Sequence, residues 1–220
     1  MLLSDLRERH SAGTPVRLAV SGAGWIGSGF VTQTGRMKGM QVSVLADTDV
    51  ALARTVMEST GVPADRIIET EKASAAEDAL RAGKRVVTGL YGLAAQLHDV
   101  DIVVDVTPSP AIGAETAWSC IQNGKDVVLV NIEADVTVGR VLKHLADKAG
   151  ILYTVSGGDE PGCIMELWDY VQTLDFEAVA IGVDARDPVT ESGRSCRIRW
   201  SQFRRARSRS AATSRAAGRF

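Results

Sequence analysis

The sequence predicts an α/β protein whose core is a doubly wound parallel sheet, and three observations predict it. Between about residues 16 and 155, short β-branched runs alternate with segments of helical periodicity. The strand-like runs at 42–46, 102–106 and 127–130 are almost continuously apolar, as strands covered on both faces require. The first strand opens directly into a glycine-rich turn, Ser21-Gly22-Ala23-Gly24-Trp25-Ile26-Gly27.

The elements follow in order. Residues 1–10 read as a short helix of mixed charge, in which Asp5, Arg7, Glu8 and Arg9 interrupt the apolar core that a signal peptide needs. No stretch approaches the roughly 20 apolar residues that span a bilayer, so no membrane is expected and the expected address is cytoplasmic. A strand at 16–20 enters the glycine turn, a helix continues through Phe30 and Val31, and Gly39 marks the turn into a strand at 42–46. Asp49 is a good N-cap for a helix to Thr60, which Gly61 and Pro63 stop. The segment 66–98 carries weaker signals: a helix at 75–82, a short strand at Val86 and Val87, and helix again from Tyr91. The pattern then sharpens into a strand at 102–106, a helix at 111–123 ended by Gly124 and a strand at 127–130. A helix at 137–149 stopped by Gly150 and a strand at 151–155 complete it. Past a Gly-Gly-Asp-Glu-Pro-Gly turn, a helical segment at 163–174 and a strand at 176–181 read as the start of a second, α+β domain.

The glycine turn carries the chemistry. A pyrophosphate needs close backbone approach, free N–H donors and a positive local field, and a tight strand-to-helix turn supplies all three. Gly22 is expected to make the turn, Gly24 to leave room for phosphates beside Trp25 and Ile26, and Gly27 to let the helix pack on the strand. A carboxylate, Asp47, follows twenty residues after Gly27 at the end of the second strand. It suits the two ribose hydroxyls of NAD and repels the extra phosphate of NADP, which Thr48 and Arg54 could accommodate if Asp47 turns away. The fold is thus read as Rossmann-type and the cofactor as NAD or NADP. A glycine-rich structural turn is the competing reading.

Three cysteines, Cys120, Cys163 and Cys196, show no CxxC spacing, so neither a disulfide framework nor a zinc site is expected. His10, His98 and His144 do not cluster, which argues against a histidine-built metal site. The net charge of −2 hides an asymmetry: residues 184–220 hold ten arginines, no lysine and three acids, a balance of +7 against −9 for the rest.

Further residues carry a family resemblance. The run Asp101-Ile102-Val103-Val104-Asp105-Val106-Thr107-Pro108 comes first, then Gly124-Lys125-Asp126-Val127-Val128-Leu129-Val130-Asn131, then a helix and the Gly-Gly-Asp-Glu-Pro-Gly turn. Over about residues 14–182 this resembles the NAD(P)-binding half of homoserine dehydrogenase-like oxidoreductases, and more closely the deoxyxylulose phosphate reductoisomerase-like branch. The pairing of Asn131-Ile132-Glu133-Ala134-Asp135 with Gly158-Asp159-Glu160-Pro161 is more specific than the glycines. The resemblance implies that Thr107 and Pro108 lie beside the nicotinamide and that Asn131 lies near ring and substrate. Homoserine dehydrogenases proper carry lysine after that asparagine, where this chain has Ile132. The departure points from homoserine towards the reductoisomerase-like branch, whose implied reaction is an NADPH-dependent rearrangement and reduction of a sugar phosphate.

The candidate catalytic set is Asn131, Glu133, Asp159 and Glu160. The carboxylates follow the carboxyl ends of strands, where open sheets bind ligands, and could move a proton or hold a cation. Asp159 and Glu160 could equally cap the helix that follows Pro161. The expected partner is a small-molecule substrate, a sugar phosphate or an amino-acid-derived alcohol; the resemblance implies that intact family members commonly form homo-oligomers, and no oligomeric state is assigned to this chain.

The expected division is a cofactor domain at 1–160, the start of a catalytic domain at 161–183 and an Arg-rich, disordered tail at 184–220. The tail reads in three ways: a nucleic-acid-binding arm, an arm for an acidic surface, or the product of a frame shift or truncation. The third is favoured, because all ten basic residues there are arginine and the boundary falls inside a strand. On that reading the chain keeps its cofactor domain, binds NAD(P) weakly and turns over little or nothing. The alternative function is a nucleotide-sensing protein with a basic nucleic-acid-binding tail.

Overall fold

The computed structural model describes residues 2–157, 162–177 and 204–205. Backbone contacts divide the chain into two units, Met1–Ser156 and Gly157–Phe220. The first begins with α1 (Leu2–Ser11), β1 (Val16–Ser21), α2 (Trp25–Arg36), β2 (Met40–Ala46) and α3 (Val50–Ser59). A single 3-10 turn (Ala64–Arg66) leads into β3 (Ile67–Glu69), followed by α4 (Ala73–Arg81), β4 (Arg85–Thr88) and the short α5 (Leu93–Gln96). Then come β5 (Ile102–Asp105), α6 (Pro110–Asn123), β6 (Asp126–Leu129), the one-turn α7 (Ile132–Ala134), a π-helical segment (Asp135–Gly139), α8 (Arg140–Ala149) and β7 (Tyr153–Val155).

The seven strands form one sheet in the order β3-β4-β2-β1-β5-β6-β7, and every adjacent pair is parallel. The chain moves outward from β1 through β2 to the β3 edge, returns to fill the gap with β4, and crosses to β5 on the other side of β1. Right-handed crossovers then place helices on opposite faces for the two directions of travel. One layer is Val31 of α2 and Ala53, Val56 and Met57 of α3 against Val20, Leu45 and Val87. The other joins Ala76, Ala117, Cys120, Leu142 and Ala146 from α4, α6 and α8 to Ala19, Val44, Val103 and Val127. Neighbouring strand residues alternate between the layers, so the sheet is apolar on both sides, as the continuous runs required.

Local chemistry sets the helix ends. The Asp49 side chain accepts the Leu52 N–H at 2.9 Å to start α3. Ser109 caps α6 ahead of Pro110 at its first position, while α6 and α8 stop at left-handed Gly124 and Gly150.

Two features depart from the sequence reading. The edge strand β3 was not expected: its three residues bury only Ile67, too short a run to show a period. The helix expected from Thr137 begins instead at Ile132 and runs through the π-helical segment into α8, so Glu133 and Asp135 lie in helical backbone rather than in a loop after β6. The Tyr153 hydroxyl donates to Asp135 Oδ1 at 2.8 Å, tying that widened turn to β7.

In the second unit, α9 (Gly162–Thr173) is followed by β8 (Phe176–Glu177), which pairs antiparallel with β9 (Arg204–Arg205). The expected continuation of that strand to Ile181 lies outside the described residues, as do Asp159, Glu160 and the tail apart from Arg204 and Arg205. Among the described residues no helix is long and apolar enough to cross a membrane.

Candidate functional site

The site is built where β1 ends. Gly22 takes a φ of +104°, in the region that favours glycine, and its N–H donates to the Ala46 carbonyl at 2.7 Å. A Cβ on Gly22 would meet Val106 at 3.1–3.3 Å, so the turn after β1 and the turn after β5 are in contact. A Cβ on Gly27 would collide with the Gly22 carbonyl, which explains why α2 packs so closely on the strand it follows. Around Gly24, by contrast, a Cβ would meet nothing within 4 Å.

Gly24 is also the N-cap of α2 and brings no side chain to cap it, and no acidic residue sits in the first turn. The leading N–H groups of a 12-residue helix therefore face open space, with the positive end of the helix dipole behind them. Trp25 and Ile26 project from this turn, 83% and 49% exposed. Free donors, a positive field and an empty cradle suit an anion such as a pyrophosphate, and a side chain at Gly24 would fill that cradle.

Asp47 joins the next strand to this turn. Its Oδ2 accepts the Ala23 N–H at 2.6 Å, while Oδ1 accepts the Asp49 N–H at 2.8 Å and the Thr48 hydroxyl at 3.4 Å. Arg54 turns the other way, donating to the Ile67 carbonyl at 3.4 Å and lying 4.0 Å from Glu69.

On the far side of β1, a buried polar cluster closes the ends of β5 and β6. Asp105 is fully buried and lies in register with Ser21 and Leu129. The Thr107 hydroxyl donates to its Oδ1 at 3.0 Å, and Asn131 Nδ2 donates to its Oδ2 at 3.0 Å. Asn131 also donates to the Ser109 carbonyl at 2.8 Å, and its Oδ1 accepts the Ala134 N–H at 3.0 Å. Helix α6 passes directly over the cluster at Gly113, where a Cβ would stand 2.6 Å from Asn131 Nδ2 and 2.9 Å from Asp105 Oδ2. Burial pushes the Asp105 carboxyl above its usual range, against the opposing effect of the Asn131 and Thr107 hydrogen bonds.

The structure therefore brings Gly22, Gly24, Trp25, Ile26, Gly27 and Asp47 together, with Thr107 and Pro108 on the adjoining turn. Thr107 and Asn131 are 4% and 2% exposed, with their polar atoms held in the cluster; Pro108 and Glu133 are exposed. Sequence reasoning missed Asp105 and Ser109. The signal for Asp105 was a charge closing the apolar run Ile-Val-Val at a position that should be covered on both faces.

Two clefts lie elsewhere. One of about 250 Å³ is lined by Arg17, Gln41, Ser43, Arg81, Lys84 and Asp99 near the amino ends of the strands, with Arg17 tied to Asp99 and Asp101. Another of about 200 Å³ lies between α2, α3 and β2. Neither touches the glycine turn. No group of three or more His, Cys, Asp or Glu side chains among the described residues is placed to hold a metal ion.

Comparison with known proteins gives this geometry a family. Solved structures share the fold. A candidate myo-inositol dehydrogenase of Sinorhizobium meliloti 1021 is 17% identical, with a TM-score of 0.51 over 74% of this chain and 43% of that one. The scyllo-inositol dehydrogenase of Lactobacillus casei, solved with NAD(H) and scyllo-inositol, is 14% identical, with a TM-score of 0.50 over 74% and 43%. GenD2 of gentamicin A biosynthesis, solved with NAD, is 18% identical, with a TM-score of 0.50 over 74% and 40%. The chain thus spans less than half the length of these proteins. No curated protein sequence matches it. Residues 22–155, from the glycine turn to the end of β7, match the family model for the NAD-binding domain of homoserine dehydrogenase, and the chain belongs to that family.

Proposed function

We propose that this chain is the cofactor-binding part of an NAD(P)-dependent oxidoreductase that moves a hydride between the nicotinamide and a small hydroxy or oxo substrate. The observation that carries the reading is the open N-terminus of α2 at Gly24, linked through Ala23 to Asp47 on one side and through Gly22 to the Val106 turn on the other. The leading N–H groups of α2 hold the pyrophosphate, and Gly24 keeps the cradle clear. Asp47 receives ribose hydroxyls on carboxylate lone pairs that the Ala23 and Asp49 N–H groups leave free. Thr107 and Asn131 act from below, fixing the turn on which Pro108 presents the floor for the nicotinamide end. The bound dinucleotide supplies the hydride chemistry; the protein supplies position and field.

The proposed substrate is a sugar phosphate or an amino-acid-derived alcohol. Ile132 in place of lysine after Asn131 supports the reductoisomerase-like branch over homoserine itself. Glu133, exposed at the first turn of α7, is the described candidate for proton transfer, together with Asp159 and Glu160 outside the described residues. Hydride transfer needs both carbons held in near-attack geometry, normally the task of a second domain. The chain is accordingly proposed to bind the dinucleotide, the part of that task its described residues can perform. Neither the family match nor the structural likenesses support a nucleic-acid-binding reading.

Thermal unfolding of the full chain with saturating NAD+ or NADP+ tests the proposal. A rise in Tm with either dinucleotide, absent with adenosine alone, is expected; no rise with both contradicts it.

A further inference from the structure

Arg85 opens β4 at the amino edge of the parallel sheet, the edge opposite the glycine turn. It shares a strand face with Val87, the face that α2 and α3 cover, and it is half-buried there. Among the described residues its guanidinium donates no hydrogen bond and forms no ion pair. Glu69, the acid of the neighbouring strand β3, lies 4.0 Å from Arg54 instead. The charge close to Arg85 in the sheet is another cation: Arg66 precedes Ile67, the residue that pairs with Arg85 across the β3–β4 ladder. Burial first, and then the charge of Arg66, push the Arg85 guanidinium below its ordinary value. A fork of N–H donors that leaves water without meeting an acceptor costs free energy, and a like charge nearby adds to that cost.

Arg85 lines the cleft of about 200 Å³ between α2, α3 and the start of β2. The walls around it are largely apolar, with Val31 from α2, Val42 from β2, Met57 from α3 and Val62 just after that helix. The uncharged polar groups of the lining are engaged elsewhere. The Thr60 hydroxyl donates to the Met57 carbonyl at 2.7 Å, and Gln41 Nε2 donates to Ser43 Oγ at 3.2 Å. Sites for drug-sized ligands enclose roughly 300–1,000 Å³, so this cleft suits a molecule of only a few carbons.

We propose that the cleft is a second ligand site, for a small aliphatic carboxylate whose charged group lies against Arg85 and whose carbon chain lies against Val31, Val42 and Met57. The planar fork of a guanidinium matches the two oxygens of a carboxylate and takes them as a pair. The apolar walls gain from burying a hydrocarbon chain and gain nothing from a bare phosphate. Open parallel sheets bind their reacting ligands at the carboxyl ends of the strands. A ligand at the amino edge is therefore an effector of the domain and not the molecule that reacts. The site is independent of the dinucleotide site proposed above.

The test is NMR titration of the full isotope-labelled chain with isovalerate, with its neutral amide isovaleramide and with inorganic phosphate, in the wild type and Arg85→Gln. In the wild type, isovalerate is expected to shift the backbone amide signals of Gly61, Val62 and Arg85 saturably, with a Kd on the order of 1–10 mM. Loss of the charge on either side, in isovaleramide or in Arg85→Gln, is expected to weaken binding about tenfold or more. If Arg85→Gln does not fold, isovaleramide on the wild type makes the same comparison. Absence of shifts with isovalerate, or shifts confined to the glycine turn, overturns the site. Equal binding of isovaleramide overturns the role of Arg85, and phosphate binding as tightly as isovalerate overturns the role of the apolar walls.

Discussion

Replacing Gly113 with alanine opposes two effects of known size. In an ordinary helix interior the change stabilises, because alanine is favoured over glycine by about 0.8–1 kcal/mol. At this position the new methyl carbon would stand 2.6 Å from Asn131 Nδ2, 2.7 Å from Ala134 Cβ and 2.9 Å from Asp105 Oδ2. None of these can swing away, since Asn131 and Asp105 are buried and hydrogen-bonded to each other and Ala134 is a fully buried residue of α7. Overpacking of this kind costs about 1–3 kcal/mol. Pulling Asn131 from Asp105 leaves a buried polar group unpaired, a further 1–3 kcal/mol or so. The net expectation is a loss of about 1–5 kcal/mol, or roughly 2–20 °C in Tm for a chain of this size. Urea unfolding followed by circular dichroism measures it. An unchanged or raised midpoint in Gly113→Ala would refute the reasoning, because it would mean that α6 does not clamp the Asp105–Asn131 pair.

Gly27→Ala should lose both stability and dinucleotide affinity, since its methyl group collides with the Gly22 carbonyl; an unchanged melting curve would contradict the packing of α2 on β1. Tyr153→Phe removes the hydroxyl that Asp135 accepts and should cost about 0.5–1.5 kcal/mol in urea unfolding without changing dinucleotide affinity. Thr116→Val should be neutral or stabilising by up to about 1 kcal/mol, because the Thr116 hydroxyl is buried without a partner; marked destabilisation would count against this. Glu77 is held below its ordinary value of 4.5, first by the His98 backbone N–H, which donates to it at 2.7 Å. Its carboxylate stabilises the fold above pH 4.5 or so, and that contribution is lost as pH falls through the lowered folded-state value. Glu77→Gln should flatten the acid limb of the stability profile, and an unaltered limb would speak against the contact.

What the sequence could show depended on whether a residue's signal was local. The strands β2, β5 and β6 announced themselves by almost continuous apolar runs, β1 by leading into the glycine turn, and α3, α6 and α8 by caps at Asp49, Gly124 and Gly150. The glycine turn was legible because its three glycines have three local tasks, two of them visible as would-be collisions in the structure. Edge strand β3 was not legible, since a strand of three residues with one buried side chain has no period to detect. The helix around Glu133 and Asp135 was misread because the π-helical segment breaks the 3.6-residue period, and its stabilising partner Tyr153 is eighteen residues from Asp135. Asp105 and Asn131 belong to the same class. Their meaning lies in a contact between the ends of two adjacent strands, 26 residues apart in the chain, which no local pattern encodes.

The proposed dinucleotide site rests on the open N-terminus of α2, and Gly24→Ala tests it most directly. Nothing lies within 4 Å of the added methyl group, so the melting temperature of the free protein should hold to within a degree or two. The methyl group would occupy the cradle proposed for the pyrophosphate, so calorimetric titration with NAD+ and NADP+ should show affinity reduced at least tenfold from the wild type. Equal affinity in the two proteins, with both fully folded, would contradict the claim that the glycine turn holds the dinucleotide.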